Sequence, residues 1–413
     1  MRILFKTSYD QDIRLFKDWH QARWYLLLLL ILLVMPYLVS TFVLGEVTNV
    51  LIWSLAGMGL MILVGQTGQA SLGHAAFLAI GCYANAILQS RLGLPFLVTF
   101  PLAGLIAGLA GVLVAIPTTK LHGIYLAIAT LAISILIEDL IVIAEPLTGG
   151  VAGILVPDIS IFGFNINRYG NPFAFYWVAL AVALVVTLFY RNILRSPTGR
   201  AFAAVRDSEI SAQAMGVNVA RTKAVAFGVS TGITGLAGAL MGHFIGFVNH
   251  EAFLILISIQ LLLMVVIGGL GTIHGAYFGA ILVVFLPQVL AFLRDWIGQV
   301  TGVGSIVIPG IETAVFGLIL ILFILYEPRG IYGSWIKIRT YFELFPFYRR
   351  DMFRRQKSYL KTERMLLAFW KSATSRSSSA GSLPSTMFPS RWRRARCSRW
   401  SGRTAPASRP CST

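Results

Sequence analysis

The sequence predicts an all-α polytopic membrane protein, a helical bundle of about ten transmembrane segments, and three observations carry that expectation. The chain is 56% hydrophobic and only 12% charged over 413 residues, and its mean hydropathy is +0.75, well outside the balance of soluble domains. Apolar runs close to the roughly 20 residues that cross about 30 Å of hydrocarbon recur along most of the chain rather than once at its start. Glycines cluster inside these runs, at 228–246 and 268–279, where small residues let helix backbones approach in lipid.

The elements follow in order. A basic segment, 1–24, precedes the first apolar block, Tyr25 to Leu44, which is too long for a signal h-region and has no small-residue cleavage pattern behind it. It reads as a retained helix. Further apolar segments lie at 48–65, 71–91, 97–117, 121–143, 174–191, 223–247, 253–271, 274–294 and 306–326. The membrane part therefore spans 25–335. Lys and Arg concentrate in 1–24, in the loop from Arg191 to Lys223 within 191–222, and after Tyr326. The positive-inside rule places all three in the cytoplasm, with both termini, and an even number of spans between them agrees.

The basic-poor segment 145–172 then falls outside. The alternation Ile159-Ser160-Ile161-Phe162-Gly163-Phe164 suggests a small extracytoplasmic cap built on extended chain. A faint internal echo links Leu60-Met61-Ile62-Leu63-Val64-Gly65, followed by His74, with Leu263-Met264-Val265-Val266-Ile267-Gly268, followed by His274. Transporters built from duplicated halves show such echoes.

Net charge is +17, but from Glu327 onward 19 Lys or Arg face 4 Asp or Glu, so the membrane part is close to neutral. The three cysteines, Cys82, Cys397 and Cys411, have neither metal-ligand spacing nor an even framework, which argues against zinc and disulfides. No hydrolytic or redox constellation occurs inside the spans. No catalytic residue and no metal ligand is expected.

The most polar passage at membrane depth is Gly65-Gln66-Thr67-Gly68-Gln69-Ala70-Ser71-Leu72-Gly73-His74. Two amides, two hydroxyls and an imidazole facing lipid are expensive, so Gln66, Thr67, Gln69, Ser71, Gly73 and His74 should line a cavity or an interhelical network. A translocation pathway is one reading; a helix-breaking loop satisfied by its neighbours is the other. His74 alone reads more readily as a packed histidine than as a proton carrier. Glu138 and Asp139, near the outer end of their span, are the weak candidates for an ion relay. Such sparse intramembrane charge argues for an external energy source.

In the basic loop, Ala203 to Met215 is rich in helix formers, ends at Gly216 as a C-cap, and carries Val205, Ile210 and Met215 as scattered apolar contacts. It is predicted as one short amphipathic helix at the inner face.

Five motifs between Tyr25 and Tyr332 together resemble one family: Gly68-Gln69-Ala70-Ser71-Leu72-Gly73-His74-Ala75-Ala76-Phe77, Thr148-Gly149-Gly150, Ala204-Val205-Arg206-Asp207 with Ala214-Met215-Gly216, Gly268-Gly269-Leu270-Gly271-Thr272, and Glu327-Pro328-Arg329-Gly330. The chain is similar to the permeases of branched-chain amino acid ABC importers of the bacterial inner membrane. The resemblance implies that Arg206, Asp207, Glu209, Ala214, Met215 and Gly216 couple to a cytoplasmic ATPase. It also implies that the Gly-rich stretch and Thr148, Gly149 and Gly150 line the pathway. The implied partners are a homologous second permease, two ABC ATPase subunits that hold ATP and magnesium, and a periplasmic solute-binding protein. Val151 and Ala152 follow the Thr-Gly-Gly turn where family members often carry a polar or acidic residue, which keeps urea or short amides open as cargo.

Residues 336–364 form a basic segment, and 365–413 change character: Ser, Arg, Pro and Trp dominate, with nine Lys or Arg and no Asp or Glu. Permitted codons for Trp400 to Thr413, each restarted on the third base, can read Val-Gly-Pro-Asn-Gly-Ala-Gly-Lys-Ser-Thr-Leu-Phe-Asn. That is a Walker A phosphate loop. The tail is therefore expected to be the misframed start of an ABC ATPase, disordered, rather than a basic tail that binds nucleic acid. No Walker motif lies in the chain's own frame, and no cofactor is expected on it. An ion-driven secondary transporter is the competing function.

Overall fold

The computed structural model describes residues 19–119, 121, 123–161, 163–301 and 330–344, with positions 314, 317, 318, 321 and 325. The last expected span, 306–326, most of 1–24 and the whole tail 365–413 lie outside the described residues, apart from those isolated positions.

Among the described residues, twelve α-helices are six residues or longer. Helix α1 is Trp19–Leu38, α2 Thr41–Met61, α3 His74–Leu92, α4 Phe96–Thr118, α5 Ile124–Ile143 and α6 Pro172–Arg195. Helices α7 (Pro197–Asp207) and α8 (Glu209–Ala214) form the basic loop, followed by α9 Val219–Ile245, α10 Ile255–Gly268, α11 Ile273–Thr301 and α12 Gly330–Leu344.

Among the described residues, seven helical stretches are long and apolar enough to cross a membrane: Thr41–Gln66, Phe96–Thr118, Ile124–Ile143, Pro172–Arg195, Val219–Ile245, His250–Gly268 and Ile273–Arg294. The chain is a multi-pass helical membrane protein. Helix α1 offers a shorter apolar stretch, Ala22–Leu38, and α3 is helical over the expected 71–91 region but is not among the seven. A count of ten is thus not reached within the described residues. Hydropathy also misplaced the first boundary. The apolar run continues through Val39 to Leu44, yet the helix stops at Leu38, after Pro36, and restarts at Thr41 with Ser40 extended at φ −63° and ψ 154°. A break inside a uniformly apolar run is invisible to a hydropathy window.

Helix α2 is the axis of the bundle, with 78% of its most apolar window buried, whereas α4, α5 and α11 keep 28%, 22% and 28%. It packs against α6, α9 and α11. Helix α9 in turn packs on α3 and α4, and there the glycines face each other. A Cβ at Gly81 of α3 would run into the backbone of Gly235, and one at Gly228 or Gly232 would crowd the α4 carbonyls of Gly108 or Gly104. With no hydrophobic driving force between helices in lipid, this backbone proximity supplies the dispersion contacts.

One end of the bundle carries the cap expected from 145–172. Ile159–Ile161 (β2) pairs antiparallel with Phe164–Ile166 (β3), around Gly163 at φ 86°. Ile154–Leu155 (β1) pairs with Phe247–Val248 (β4), tying the cap to the end of α9.

Candidate functional site

The polar passage after α2 begins where the α-helix loosens into a π turn, Ile62–Gln66, and then leaves helical geometry until His74. Its side chains are buried and satisfied by protein. Gln66 Nε2 donates to the Gly271 carbonyl at 2.9 Å and lies 3.4 Å from the Tyr190 hydroxyl. Thr67 Oγ1 donates back to the Leu63 carbonyl at 2.6 Å, and Gln69 Nε2 donates to Thr67 Oγ1 at 3.2 Å. Ser71 Oγ meets His74 Nδ1 at 3.0 Å, His74 Nε2 meets Ser230 Oγ at 2.9 Å, and Ser230 donates to the Gly59 carbonyl at 2.6 Å. His74 is fully buried. Gly73 presses on Thr130 of α5, whose hydroxyl accepts from the Leu72 N–H at 3.0 Å.

In this conformation the passage is an interhelical network, the arrangement in which polar groups are tolerated at membrane depth. The two halves of the sequence echo also meet. The break between α10 and α11, Gly269 to Thr272, abuts the break after α2 through Gln66 and through Gly271 N–H to Met61 Sδ at 3.0 Å.

Thr148, Gly149 and Gly150 sit at the opposite end. Thr148 Oγ1 donates to the Ile141 carbonyl at 2.6 Å and accepts from the Gly150 N–H at 3.2 Å. Gly149 and Gly150 take φ of 77° and 56°, so this motif is a tight turn that caps the one-turn helix Glu145–Thr148, which follows α5. The structure does not bring it to the Gln66–His74 passage. Glu138 is half-buried and Asp139 exposed, and neither forms an ion pair among the described residues.

The expected single helix 203–215 is two. It stops at Asp207, and Ser208, extended at φ −166°, caps a new helix by accepting from the Ser211 N–H at 3.3 Å. Ser followed by Glu209 is a start signal that overrides the uninterrupted run of helix formers. The cap at Gly216 is as expected, left-handed at φ 86°. Val205 is buried, but Ile210 and Met215 are each 84% exposed. They are surface groups rather than contacts to the bundle. Lys223, almost wholly buried, holds α8 through an ion pair to Glu209 at 2.8 Å. Arg206 bridges to its neighbour Asp207 at 3.2 Å and, through Nη1, donates to the Gly65 carbonyl at 3.2 Å. Ala214 closes α8 beside these groups.

Sequence reading passed over a cavity of about 340 Å³ near the other end of α2, lined by Glu46, Trp53, Arg168 and Phe244 among others. Glu46 fell between the runs 25–44 and 48–65 and so read as a connector; only the continuous helix Thr41–Met61 makes it a carboxylate within a span, which marks a functional candidate. Arg168 and Phe244 are over 70 residues apart in sequence and meet only in the fold.

Comparison with known proteins agrees with this architecture. The family described as the permease component of branched-chain amino acid transport systems matches residues 42–324. The high-affinity branched-chain amino acid transport system permease protein LivM of Salmonella typhimurium is 30% identical over 325 residues, 74% of this chain and 73% of the relative. Its Escherichia coli counterpart is 31% identical with the same coverage. The probable branched-chain amino acid transport permease protein LivM of Methanocaldococcus jannaschii is 26% identical over 231 residues, 56% of this chain and 66% of that one. No solved structure matches. Five motifs, the helix–break–helix pairs and the match over 42–324 lead to one assignment: the chain belongs to the branched-chain amino acid transport system permease family.

Proposed function

We propose that this chain is one of two permease subunits of an ATP-driven inner-membrane importer of branched-chain or other small amino acids. The observation that carries the reading is the exposed pair Ile210, on the short helix α8 that Lys223 tethers, and Met215 at its end, in the most basic loop of the bundle. An apolar pair left in water on a fixed helix fits a groove on a partner protein. In this reading the groove belongs to a cytoplasmic ABC ATPase, which binds ATP and magnesium. Arg206, Asp207, Glu209, Ala214, Met215 and Gly216 make up the coupling element, and both termini are cytoplasmic.

The passage Gln66, Thr67, Gln69, Ser71, Gly73 and His74 lies where α2 is broken, and Arg206 touches that break. It serves as the inner part of the translocation pathway when the network rearranges during the cycle. Thr148, Gly149 and Gly150 shape the outer rim, where a periplasmic solute-binding protein docks.

The test is uptake of labelled leucine into proteoliposomes holding this chain with a second permease, two ATPases and a solute-binding protein. ATP-dependent accumulation that survives an ionophore is the expected result. Accumulation that needs an ion gradient and not ATP would make the protein a secondary transporter, and uptake of urea in place of leucine would reassign the cargo.

A further inference from the structure

The cavity near the outer end of α2 carries an unusual set of groups for a membrane-embedded space. It lies between α2, the end of α9, α10 and α11, and two opposite charges line it: Glu46 of α2 and Arg168 from the loop before α6. Glu46 is only 8% exposed, yet its carboxylate has no hydrogen bond or ion pair among the described residues. A largely shielded carboxylate that faces only the cavity it lines is costly in a membrane helix, and is kept where something in that space compensates it. Arg168 is held in place: its guanidinium lies over the Phe244 ring, 3.9 Å from the centroid. This stacking fixes the guanidinium plane, with Nη2 and Nε toward Gly45 of α2, and a planar, fixed guanidinium suits a carboxylate.

The two charges share one cavity without closing into a salt bridge, so the space between them is open to a ligand. Trp53 and Phe244 supply apolar wall, and Asn49, Gln260 and Gln288 supply amides. Its volume, about 340 Å³, is at the small end of ligand sites. A small solute with a positive and a negative group at one end and an apolar body fits this chemistry. Urea can hydrogen-bond to either group, but it brings no charge to compensate them and no apolar body for the Trp53 and Phe244 wall.

We propose that this cavity is a binding stop for the transported solute as an amino acid zwitterion, with Arg168 holding its carboxylate and Glu46 its ammonium. The proposal rests on the importer reading above and names the form in which that importer's cargo is recognised. Arg168 sits in the same segment, 145–172, as the strand cap, so a solute arriving from the capped end meets the guanidinium first.

The experiment places a cysteine in the wall, Asn49→Cys, in the assembled complex and follows its reaction with a small methanethiosulfonate. Leucine at about ten times its dissociation constant is expected to slow labelling about ten-fold by occupancy alone. Isovalerate and isoamylamine, each lacking one of the two charged groups, should protect poorly at the same concentration. Glu46→Gln and Arg168→Gln change the charge beside the thiol, so each is read against its own rate without leucine, and each should lose the protection. If either does not assemble, Glu46→Asp and Arg168→Lys replace them, and weakened protection is again expected.

Equal protection by isovalerate or isoamylamine, or undiminished protection in the charge variants, would overturn the proposal. Leucine import by the complex that keeps Asn49 separates the two readings. No ATP-driven import there refutes the importer assignment, whereas import there with no protection of the cysteine in the Asn49→Cys complex refutes the site.

Discussion

Arg206 of α7 donates a hydrogen bond through Nη1 to the carbonyl of Gly65 at 3.2 Å, joining the exposed loop to the π turn that ends α2. A π turn leaves its carbonyls displaced from the regular helical ladder, and such turns are frequent at functional positions. One side chain therefore connects the element proposed to face the ATPase with the polar break in the central helix. A rigid-body shift of α7 has a direct mechanical path to Gln66 and its neighbours.

Replacing Arg206 with Ala should uncouple the motor from the path. A hydrogen bond from a charged donor is worth about 1.5–3 kcal/mol, so solute moved per ATP should fall by about ten-fold or more. The measurement is the ratio of leucine uptake to phosphate release in proteoliposomes. An unchanged ratio would remove Arg206 from the coupling route.

Ile210→Asp and Met215→Asp act at the surface. Each side chain is 84% exposed, so thermal stability should change by no more than about 0.5 kcal/mol. ATPase association should weaken by about 2 kcal/mol or more if the pair fills an interface pocket. Co-purification of the ATPase with each variant reads this directly. Full retention would move the docking surface elsewhere.

The pair Lys223–Glu209 fixes α8 on the start of α9. Lys223 is buried to 2% exposure, and Glu209→Gln leaves its ammonium without a counter-charge. A loss of about 1–3 kcal/mol is expected, read as a lowered midpoint in thermal unfolding of the detergent-solubilised complex. Glu209→Asp, which keeps the charge, should recover part of the loss.

His74 has both ring nitrogens occupied, by Ser71 and Ser230. A structural role predicts that His74→Gln, which keeps polar ends, retains most uptake. His74→Ala should lower stability by about 2–4 kcal/mol through a cavity and two unsatisfied hydroxyls. Loss of uptake in a stably folded His74→Gln protein would instead point to proton carriage.

Gly81→Leu should prevent α3 and α9 from meeting, because its side chain enters the backbone of Gly235. Overpacking of this kind costs about 1–3 kcal/mol or more. The expected readout is reduced yield of monodisperse protein in detergent. Normal yield would mean that the two helices are separated in the membrane.

Several features were open to direct reading. Hydropathy located the apolar segments, because crossing hydrocarbon demands length and composition that nothing else in a chain imitates. The alternation at Ile159 to Phe164 marked a small cap, which the structure builds as a hairpin, and Gly216 announced a helix end, since only glycine adopts the left-handed conformation at little cost. Polar groups at Gln66 to His74 announced an interior network.

What tertiary structure decided is where these local signals meet. Exposure of Ile210 and Met215 depends on which face of α8 Lys223 pulls inward. The contacts Arg206–Gly65, Gln66–Gly271 and His74–Ser230 each join residues more than 100 positions apart, and so does the wall shared by Glu46 and Arg168. Local sequence sets what a segment buries and how it bends; which carbonyl an arginine reaches is set by the crossing of helices, a property of the whole bundle.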